Sequence, residues 1–540
     1  MIKNSVFILT SILVLALLLR LPLLNGSFWL DEAAQALESA RPWSEQLELT
    51  PDFQPPLLHL LTAVFIRINT AEWWLRWWGA VLPGLLTIWL VYQLGHKLNQ
   101  SENLGKLTGG VSALLLATSS FHIFYSQELR PYSLPTLWAV LSWFLLLTKK
   151  QRLFENKFNT NWWKVGFSWA LVSILGLYTS YLYPFVLLGQ LGFIGFNLLG
   201  LSEKKQVGWA ELRQSASRWL ALFLMIILGF LPWLPSFLAQ LQAGQLLRAE
   251  LPGWENVVST PQLKALLLTP AKFVFGVSDL SLTPYFVLTS IMLGIFLSTS
   301  IYFWWKKVLF SSRFAANKQF VLQITVFWLL IPFLSAWLIS FFVPVIQPKR
   351  VLFLLPGFYL LIAMVLSPLL MQAKTAWQQH QFFSKNLVPA LLLCLLFFLN
   401  LTSTIAYWRT PALQRENWRS LWLEIDQKYS NKTPKLFVFS APFASWVWYN
   451  QQFSKFSMIN DFALFNQNAA NEDSAKFLVA NATNQYVATK IIYFDYMTDL
   501  TDPDGLVKTE LTKHGYLPTD LLDYPQIGYI RVFEKTEINE

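Results

Sequence analysis

Two adjacent carboxylates follow the first long apolar run of the chain almost immediately. The run occupies residues 6–24, and Asp31 and Glu32 come after the short linker NGSFWL. A charged side chain at the centre of a bilayer costs about 2.5–3.5 kcal/mol, so acids this close to a membrane span need a partner or a function. A carboxylate held beside a hydroxyl group can take its proton and act as a general base.

Three other short stretches carry polar residues that would complete such a site. They contain Asp52 and His59, then Glu128, Arg130 and Tyr132, and finally Lys349 and Arg350. Arg and Lys bind phosphate oxygens and stabilise the negative charge that develops on a departing group. The combined set therefore offers carboxylates for proton abstraction and cations for an anionic leaving group.

The acids of the first outer loop also have a structural explanation. In the first turn of a surface helix, the two carboxylates would be stabilised by the free N–H groups and by the positive end of the helix dipole. Ala33, Leu37 and Ala40 would form the apolar edge of that helix. The prolines of the stretch PDFQPPLLH would define a turn before an interfacial helix, with His59 at the level of the lipid headgroups.

The later clusters have structural explanations as well. Glu128 and Arg130 would pair with each other and cap helix ends. Lys349 and Arg350 would extend to lipid headgroups. Positive charge is uncommon on the outer side of membrane proteins, however, so phosphate binding explains the location of these two cations better.

The composition identifies the chain as a polytopic membrane protein. Of its 540 residues, 54% are hydrophobic, 16% are aromatic and only 13% are charged, which is too apolar for an ordinary soluble protein. The one cysteine, Cys394, lies inside an apolar run, so we predict neither a disulfide framework nor a thiol metal site. The first apolar segment is long for a signal peptide and lacks a clear cleavage site, so we predict that it is retained.

Eleven apolar runs are long enough to span a bilayer, which takes about 20 residues each. They fall at about residues 4–24, 73–96, 107–125, 131–148, 164–181, 183–200, 219–239, 283–305, 320–343, 350–371 and 387–408. If the N-terminus is cytoplasmic, the basic clusters between spans fall in the inner loops, as the positive-inside rule predicts. The apolar stretch 55–67 is short, and we predict a half-buried or re-entrant helix on the outer side. The loop 25–72 then lies outside.

The charge changes sign after the last predicted span. Residues 1–409 carry 29 Lys and Arg against 15 Asp and Glu, whereas residues 410–540 carry 12 against 16. The basic excess lies largely in short loops between apolar spans and does not indicate nucleic-acid binding. We therefore predict a transmembrane domain over residues 1–409, which contains the outer catalytic loop 25–72, and a separate tail over residues 410–540.

The tail has the patterns of a small soluble α/β domain on the outer side. An amphipathic helix is predicted from apolar residues at i, i+3, i+4 and i+7, namely Trp418, Leu421, Trp422 and Ile425. Strand-like runs follow at residues 436–440, 490–495 and 527–533.

No other recognisable motif competes with the outer clusters. The sequence contains no Walker-type phosphate loop, no His/Cys metal spacing and no Gly-x-Ser-x-Gly elbow. A cytoplasmic nucleotide donor would lie on the wrong side of the membrane. External acids and cations at membrane level fit a soluble acceptor and a lipid-borne phosphate donor.

The order of these motifs resembles a known class of enzymes. WLDE follows the first span, DxxPPL lies in the same outer loop, YSQExRxYS forms the next outer turn, KR precedes a late span, and NWR opens the tail. The pattern resembles bacterial membrane glycosyltransferases of the GT-C class. Within this class, the pattern resembles glycosyltransferase family 39, the group related to protein O-mannosyltransferases and to the lipid A aminoarabinose transferase.

The resemblance implies transfer of a hexosyl or pentosyl group from a polyprenyl-phosphate donor, typically with inversion. The acceptor would be a lipid, glycan or protein on the outer, periplasmic side of the cytoplasmic membrane. The resemblance implies that Asp31 is catalytic with Glu32 beside it, that Glu128 and Arg130 lie near the substrate, and that Arg350 lies near the donor phosphate. No cofactor is expected, although acidic pairs elsewhere in the wider class bind divalent cations.

Two other functions remain as alternatives. A transporter or flippase would move a polyprenyl-linked glycan without bond chemistry, but transporters usually carry charged residues at mid-span and show related halves. The charged clusters of this chain lie at the outer ends of the spans instead. An oligosaccharide ligase that uses a diphosphate carrier is the closer alternative, because it needs the same outer groups.

Overall fold

The protein is built mainly of α-helices, with one small sheet near its C-terminus. The computed structural model describes residues 2–49, 53–99, 101–149, 153, 160–203, 209–250, 259–278, 283–306, 315–378, 388–430, 432–439, 443–453, 461–463, 470–484 and 488–536. Up to the last apolar helix, the helices are α1 (Ile2–Leu18), α2 (Leu30–Ala40), α3 (Leu57–Ile66), α4 (Glu72–Lys97), α5 (Glu102–Thr118), α6 (Ser120–Tyr125), α7 (Ser133–Thr148), α8 (Thr160–Leu177), α9 (Tyr183–Glu203), α10 (Trp209–Phe230), α11 (Leu234–Glu250), α12 (Gln262–Phe275), α13 (Pro284–Trp304), α14 (Lys318–Ile339), α15 (Leu355–Gln378) and α16 (Val388–Arg409).

All eleven predicted spans fall on helical residues, which confirms the class of polytopic helical membrane protein. Within the described ranges, seven helices are long and apolar enough to cross a membrane by length and composition. Three other predicted spans lie on shorter apolar helices, α1, α7 and α8, and the run 107–125 is divided at Ser119 between α5 and α6. Helix α3 has 10 residues, about half the length of a span, as predicted for the stretch 55–67.

Helix α15 lies at the centre of the helical bundle. Of its most apolar window, 78% is buried, against 11% for α13 at the periphery. Tyr359 of α15 is fully buried, and its hydroxyl donates to the carbonyl of Phe273 on α12 at 2.8 Å. The turn that carries Lys349 and Arg350 leads directly into this helix, so the bundle core fixes the base of both cations.

Helices α4 and α5 approach each other through glycines. Gly105 and Gly109 form a G-x-x-x-G pattern on α5, which permits close backbone contact between helices. A Cβ atom on Gly109 would lie 2.5 Å from the carbonyl oxygen of Tyr92, and one on Gly95 would lie 2.8 Å from the Cα of Gly109. Neither position has room for a side chain.

We therefore expect a Gly109→Leu variant to unfold at a clearly lower temperature than the wild-type protein. Forcing a side chain into a packed contact typically costs about 1–3 kcal/mol, and here the clash is with backbone. The matched control is Gly110→Leu, because the nearest atom to a Cβ there is the Ile8 Cγ2 at 4.0 Å. Thermal unfolding of both variants in detergent is the measurement, and equal midpoints would contradict the prediction.

The tail forms a five-stranded mixed sheet with helices around it. Its strands are β1 (Lys435–Phe437), β2 (Asp461–Ala463), β3 (Lys490–Phe494), β4 (Tyr516–Tyr524) and β5 (Gly528–Lys535). Their order is β2-β1-β3-β5-β4, with β1 parallel to β2 and β3, and β5 antiparallel to β3 and β4. The helices are α17 (Trp418–Lys428), α18 (Ala444–Phe453), α19 (Glu472–Asn484), α20 (Thr498–Thr501) and α21 (Leu506–Lys513). All four predicted apolar residues of α17 are buried, which confirms that helix.

The tail shares one apolar cluster with the short helices of the loop between α1 and α4. Phe28 packs against Trp448 of α18 with ring centroids 5.6 Å apart, and the same cluster continues into α2, α3 and α17. The predicted apolar edge of α2 was partly wrong, because Ala33 is buried but Ala40 is exposed. Helix α2 lies between α3 and the tail, so its buried face is set by these neighbours.

Candidate active site

The two adjacent acids occupy the first turn of α2, as the structural explanation required. The helix begins at Leu30, and Trp29 at its N-cap offers no side-chain hydrogen bond to the free N–H groups. Carboxylates in a first turn are favoured by the helix dipole. The two side chains nevertheless point into different surroundings, because consecutive helical residues lie about 100° apart around the axis.

Glu32 is fully buried and forms a two-pronged ion pair with Arg76 of α4. Its oxygens lie 2.8 Å from Arg76 Nε and 2.5 Å from Arg76 Nη2, and Oε1 also accepts the Leu129 N–H at 2.7 Å. Burial alone would raise the pKa of the Glu32 carboxyl, but Arg76 and Arg415 lower it overall. Glu32 is therefore a carboxylate that joins α2, α4 and the turn before α7.

Arg76 also holds the linker between α1 and α2. Its guanidinium donates to the carbonyls of Leu24, Gly26 and Ser27 at 2.9, 2.6 and 3.0 Å. The sequence reasoning missed this residue, although one signal was present. Arg76 is a cation just inside the predicted span 73–96, where a charge needs a partner.

Asp31 is the more accessible acid of the pair. Its side chain is 38% exposed, and its Oδ2 lies 3.8 Å from Arg130 Nε. Arg130 Nη1 also donates to the Asp31 carbonyl at 3.4 Å. The start of α2 and the turn before α7 thus meet here, with a partly exposed carboxylate beside a guanidinium.

Glu128 lies behind this contact, buried beside Arg415 from the tail. Glu128 Oε2 lies 3.5 Å from Arg415 Nη2, and its Oε1 makes no hydrogen bond within the described residues. Burial raises the pKa of the Glu128 carboxyl more than Arg415 lowers it. The structural explanation of this cluster paired Glu128 with Arg130. The structure gives Glu128 the partner Arg415 and gives Arg130 the partner Asp31.

Lys349 faces the same cluster. Its ammonium lies 5.5 Å from the Trp29 ring and 5.9 Å from the Tyr132 ring. Burial lowers the pKa of Lys349, but Tyr132, Glu128 and Asp31 more than offset this, so the pKa is raised. Three of the four predicted clusters are therefore brought together at one end of the bundle.

Arg350 and Tyr132 border this cluster. Arg350 is half-buried, and its Nη1 lies 3.5 Å from the carbonyl of Val345. Tyr132 is buried at the start of α7, where its ring packs edge-on against Tyr125 at 5.1 Å. Both side chains can shape the site from its edge.

His59 lies in a separate polar cluster. Its fully buried ring lies between Gln35 and Gln54, with nitrogen–nitrogen distances of 2.7 and 2.8 Å. Asp52 lies outside the described residues. Among the residues that the structure describes, no group of three or more His, Cys, Asp or Glu side chains is placed to hold a metal ion.

The comparison with known proteins establishes the fold. At the level of sequence, no protein-family model and no curated protein matches this chain. Among solved structures, the chain shares the fold of membrane glycosyltransferases of the GT-C class, which confirms the fold predicted from the sequence motifs.

Two proteins represent this likeness. ArnT from Cupriavidus metallidurans in the apo state has a TM-score of 0.53 at 10% identity, over 99% of this chain and 98% of that chain. Its form bound to undecaprenyl phosphate has a TM-score of 0.51 at 11% identity, over the same shares. The oligosaccharyltransferase AglB from Archaeoglobus fulgidus, in complex with an inhibitory peptide and a dolichol-phosphate, has a TM-score of 0.54 at 12% identity, over 99% and 74%.

Proposed function

We propose that the protein transfers a single sugar from a polyprenyl-phosphate donor to an acceptor on the outer side of the cytoplasmic membrane, with inversion. The observation that carries this proposal is the meeting of Asp31, Arg130 and Lys349 at one end of the helical bundle. A partly exposed carboxylate beside two cations suits a hydroxyl acceptor and an anionic leaving group. ArnT and AglB, which share the fold, have been solved with polyprenyl phosphates.

In this proposal, Asp31 is the general base. It takes the proton of the acceptor hydroxyl as that oxygen forms a bond to the anomeric carbon. The bond between that carbon and the phosphate oxygen breaks, and its electron pair leaves with the phosphate. Arg130, Lys349 and Arg350 stabilise the charge on the departing phosphate. Glu32 has both oxygens bound to Arg76, so we assign it to holding the loop.

The remaining predicted residues support the site in our proposal. Tyr132 borders the phosphate region through its contact with Lys349, and Glu128 holds the turn that carries Arg130. His59 and Asp52 keep their predicted role as substrate-binding residues of the loop 25–72. We propose that the site holds no resident metal. The alternative is a divalent cation at the outer carboxylates, and loss of transfer activity on addition of EDTA would reveal it.

The proposed orientation follows from the charge pattern of the loops. The basic clusters between the spans indicate that the N-terminus is cytoplasmic. The site and the soluble domain of residues 410–540 would then face the periplasm or exterior. Labelling of engineered cysteines by a membrane-impermeant reagent in intact cells tests this orientation.

An oligosaccharide ligase is the second candidate, because AglB shares the fold as closely as ArnT does. The two reactions release different carriers. Transfer of one sugar from a monophosphate carrier releases polyprenyl phosphate. An oligosaccharide ligase that uses a diphosphate carrier releases polyprenyl diphosphate. Mass spectrometry of the lipid products of purified protein separates them, and transport without any bond cleavage would favour a flippase.

The experiment that tests the proposal most directly uses cells that lack the protein. Mass spectrometry of their lipid extract should show a polyprenyl-phosphate sugar that accumulates. One envelope glycan, lipid or protein should lose a single sugar in the same cells. An unchanged profile of both donor and acceptor would reject the proposal.

We expect a Lys349→Met variant to lose transfer by about 10²–10³-fold. The loss should be that large because the ammonium would stabilise charge that develops only as the phosphate departs. Steady-state kinetics with a short-chain polyprenyl-phosphate sugar measures it. The matched control is Lys264→Met, which removes an exposed lysine from α12 and should retain activity. Equal losses in both variants would mean that net charge, and not the position of Lys349, matters.

A further inference from the structure

Two consecutive residues of the tail contact both segments of the candidate site. Arg415 and Glu416 lie between α16 and α17, in the stretch that connects the bundle to the sheet. Sequence reasoning had assigned no role to either residue. Each residue is half-buried, and the Arg415 side chain is only 8% exposed. Each contacts at least one residue that neighbours Asp31 or Arg130 in the chain.

Arg415 bridges the two buried glutamates of the site. Its Nη2 lies 3.5 Å from Glu128 Oε2, and its Nε lies 4.0 Å from Glu32 Oε2. The same guanidinium donates to the carbonyl of Phe124 at 2.7 Å and to the hydroxyl of Tyr407 at 3.1 Å. The pKa of Arg415 is raised, because Tyr407, Glu128 and Glu32 outweigh the effect of burial. Arg415 therefore remains a cation that holds α2 against the turn before α7.

Glu416 caps the helix that carries Asp31. Its Oε2 accepts the N–H of Leu30 at 3.2 Å and the indole N–H of Trp418 at 2.6 Å, while its Oε1 accepts the Tyr496 hydroxyl at 2.8 Å. Burial raises the pKa of the Glu416 carboxyl to about 7. Leu30 immediately precedes Asp31, and the N-cap residue supplies no acceptor of its own. The Glu416 carboxylate, which is distant in the sequence, therefore acts as the N-terminal cap of α2.

A second set of contacts fixes the linker before α2. The Tyr449 hydroxyl accepts the Phe28 N–H at 2.7 Å and donates to Glu72 Oε1 at 3.0 Å. The backbone N–H of Arg419 donates to Ser27 Oγ at 3.0 Å, and Arg419 Nη2 forms an ion pair with Glu72 Oε1 at 2.5 Å. The tail therefore holds the approach to Asp31 as well as its helix.

We propose that Arg415 and Glu416 are positioning residues for the transfer reaction, through which the tail holds Asp31 and Arg130 at their working distance. The proposal rests on the proposed function for its kinetic readout only. Neither side chain needs to touch donor or acceptor, because each acts through the segments that carry the reacting groups. A misplacement of about 1 Å in a reacting group can cost about 10²-fold in rate.

The kinetic test compares two pairs of variants. We expect Arg415→Met and Glu416→Ala to lower kcat by about 10²-fold with an unchanged KM for the donor. Arg415→Lys keeps the charge and Glu416→Gln keeps an acceptor oxygen, so both should recover part of kcat. The control is Lys490→Gln, which breaks an exposed pair with Glu534 on the tail sheet and should retain full activity. Unchanged kcat in the first two variants would overturn the proposal.

A spectroscopic test reads the positioning without any activity. A spin label on Ala34→Cys, in a Cys394→Ser background, reports the mobility of α2, since Ala34 is half-exposed on that helix. We expect a rigid spectrum for the parent protein and a mobile one for Arg415→Met and Glu416→Ala. An unchanged spectrum together with lost activity would overturn positioning. If the parent protein transferred no sugar, the proposed function would fail, and label mobility alone would still decide the positioning.

The test does not depend on the more severe variants. If Arg415→Met or Glu416→Ala proved unfolded by gel filtration, the conservative variants would carry the comparison. Arg415→Lys should then show a mobile label and a lowered kcat relative to Lys490→Gln. A rigid label and full kcat in both conservative variants would count against the proposal.

Discussion

An Asp31→Asn variant should fold and insert like the wild-type protein but lose sugar transfer by about three orders of magnitude, within the usual 10²–10⁴-fold contribution of a general base. Asparagine has nearly the same shape but cannot take a proton from the acceptor. The parent side chain is 38% exposed, so its replacement disturbs little packing. Steady-state transfer from a polyprenyl-phosphate sugar measures the loss, and thermal unfolding confirms the fold.

Two controls make this result specific to the position of the carboxylate. Glu48→Gln removes an exposed acid of the loop 25–72 and should leave transfer unchanged. Asp31→Glu restores a carboxylate one methylene further out and should retain part of the activity. Near-normal turnover in Asp31→Asn would remove Asp31 from the role of base, and the buried, raised-pKa carboxyl of Glu128 would then be the next candidate.

The neighbouring acid should give the opposite result. We expect Glu32→Ala to lower the free energy of unfolding by about 3–5 kcal/mol, because it leaves the buried Arg76 guanidinium without its counter-ion. The same argument applies to Arg76→Met. Thermal or denaturant unfolding in detergent measures both losses, and the amount of folded protein recovered should fall with them.

A double variant tests the physical reason. Glu32→Leu combined with Arg76→Met removes both charges and should recover much of the lost stability, since a buried pair replaced by apolar groups is often close to neutral. The reference is Lys476→Gln, which breaks an exposed pair with Glu472 on α19 and should leave unfolding unchanged. If Glu32→Ala were as stable as this reference, the pair would not hold the loop.

Together the two experiments separate residues that are adjacent in the chain. Asp31 should affect the rate of transfer with little change in stability. Glu32 should affect stability first, and activity only as a consequence. The distinction follows from one structural fact: Asp31 points out of the first turn of α2, whereas Glu32 points into the contact with α4.

The helical class of the protein was predictable from the sequence. A membrane helix is selected by the summed hydropathy of about 20 neighbouring residues, so local composition is enough to locate it. All eleven predicted spans fall on helices, and the short helix at residues 57–66 was predictable from the length of its apolar stretch. The amphipathic α17 was predictable for a similar reason, because its buried residues repeat with the period of a helix.

The sheet of the tail was predictable only in part. The three predicted runs correspond to β1, β3 and β5, whose apolar residues are mostly buried. Strand β4 was missed because it is an edge strand with Pro518 and two aspartates, and most of its side chains are exposed. Strand β2 has three residues and no alternating pattern to detect.

The sequence by itself determined the membrane class and the order of motifs that indicated the GT-C fold. The outer location of the acids and cations stays a prediction from the charge pattern of the loops. Only the tertiary structure decided that Asp31 is accessible and that Glu32 is buried in an ion pair. It also decided that Arg415 and Glu416, which are distant in the sequence, contact the site. The physical reason is the range of each interaction. Hydropathy acts through neighbouring residues, whereas an ion pair between Glu32 and Arg415 depends on how distant segments pack.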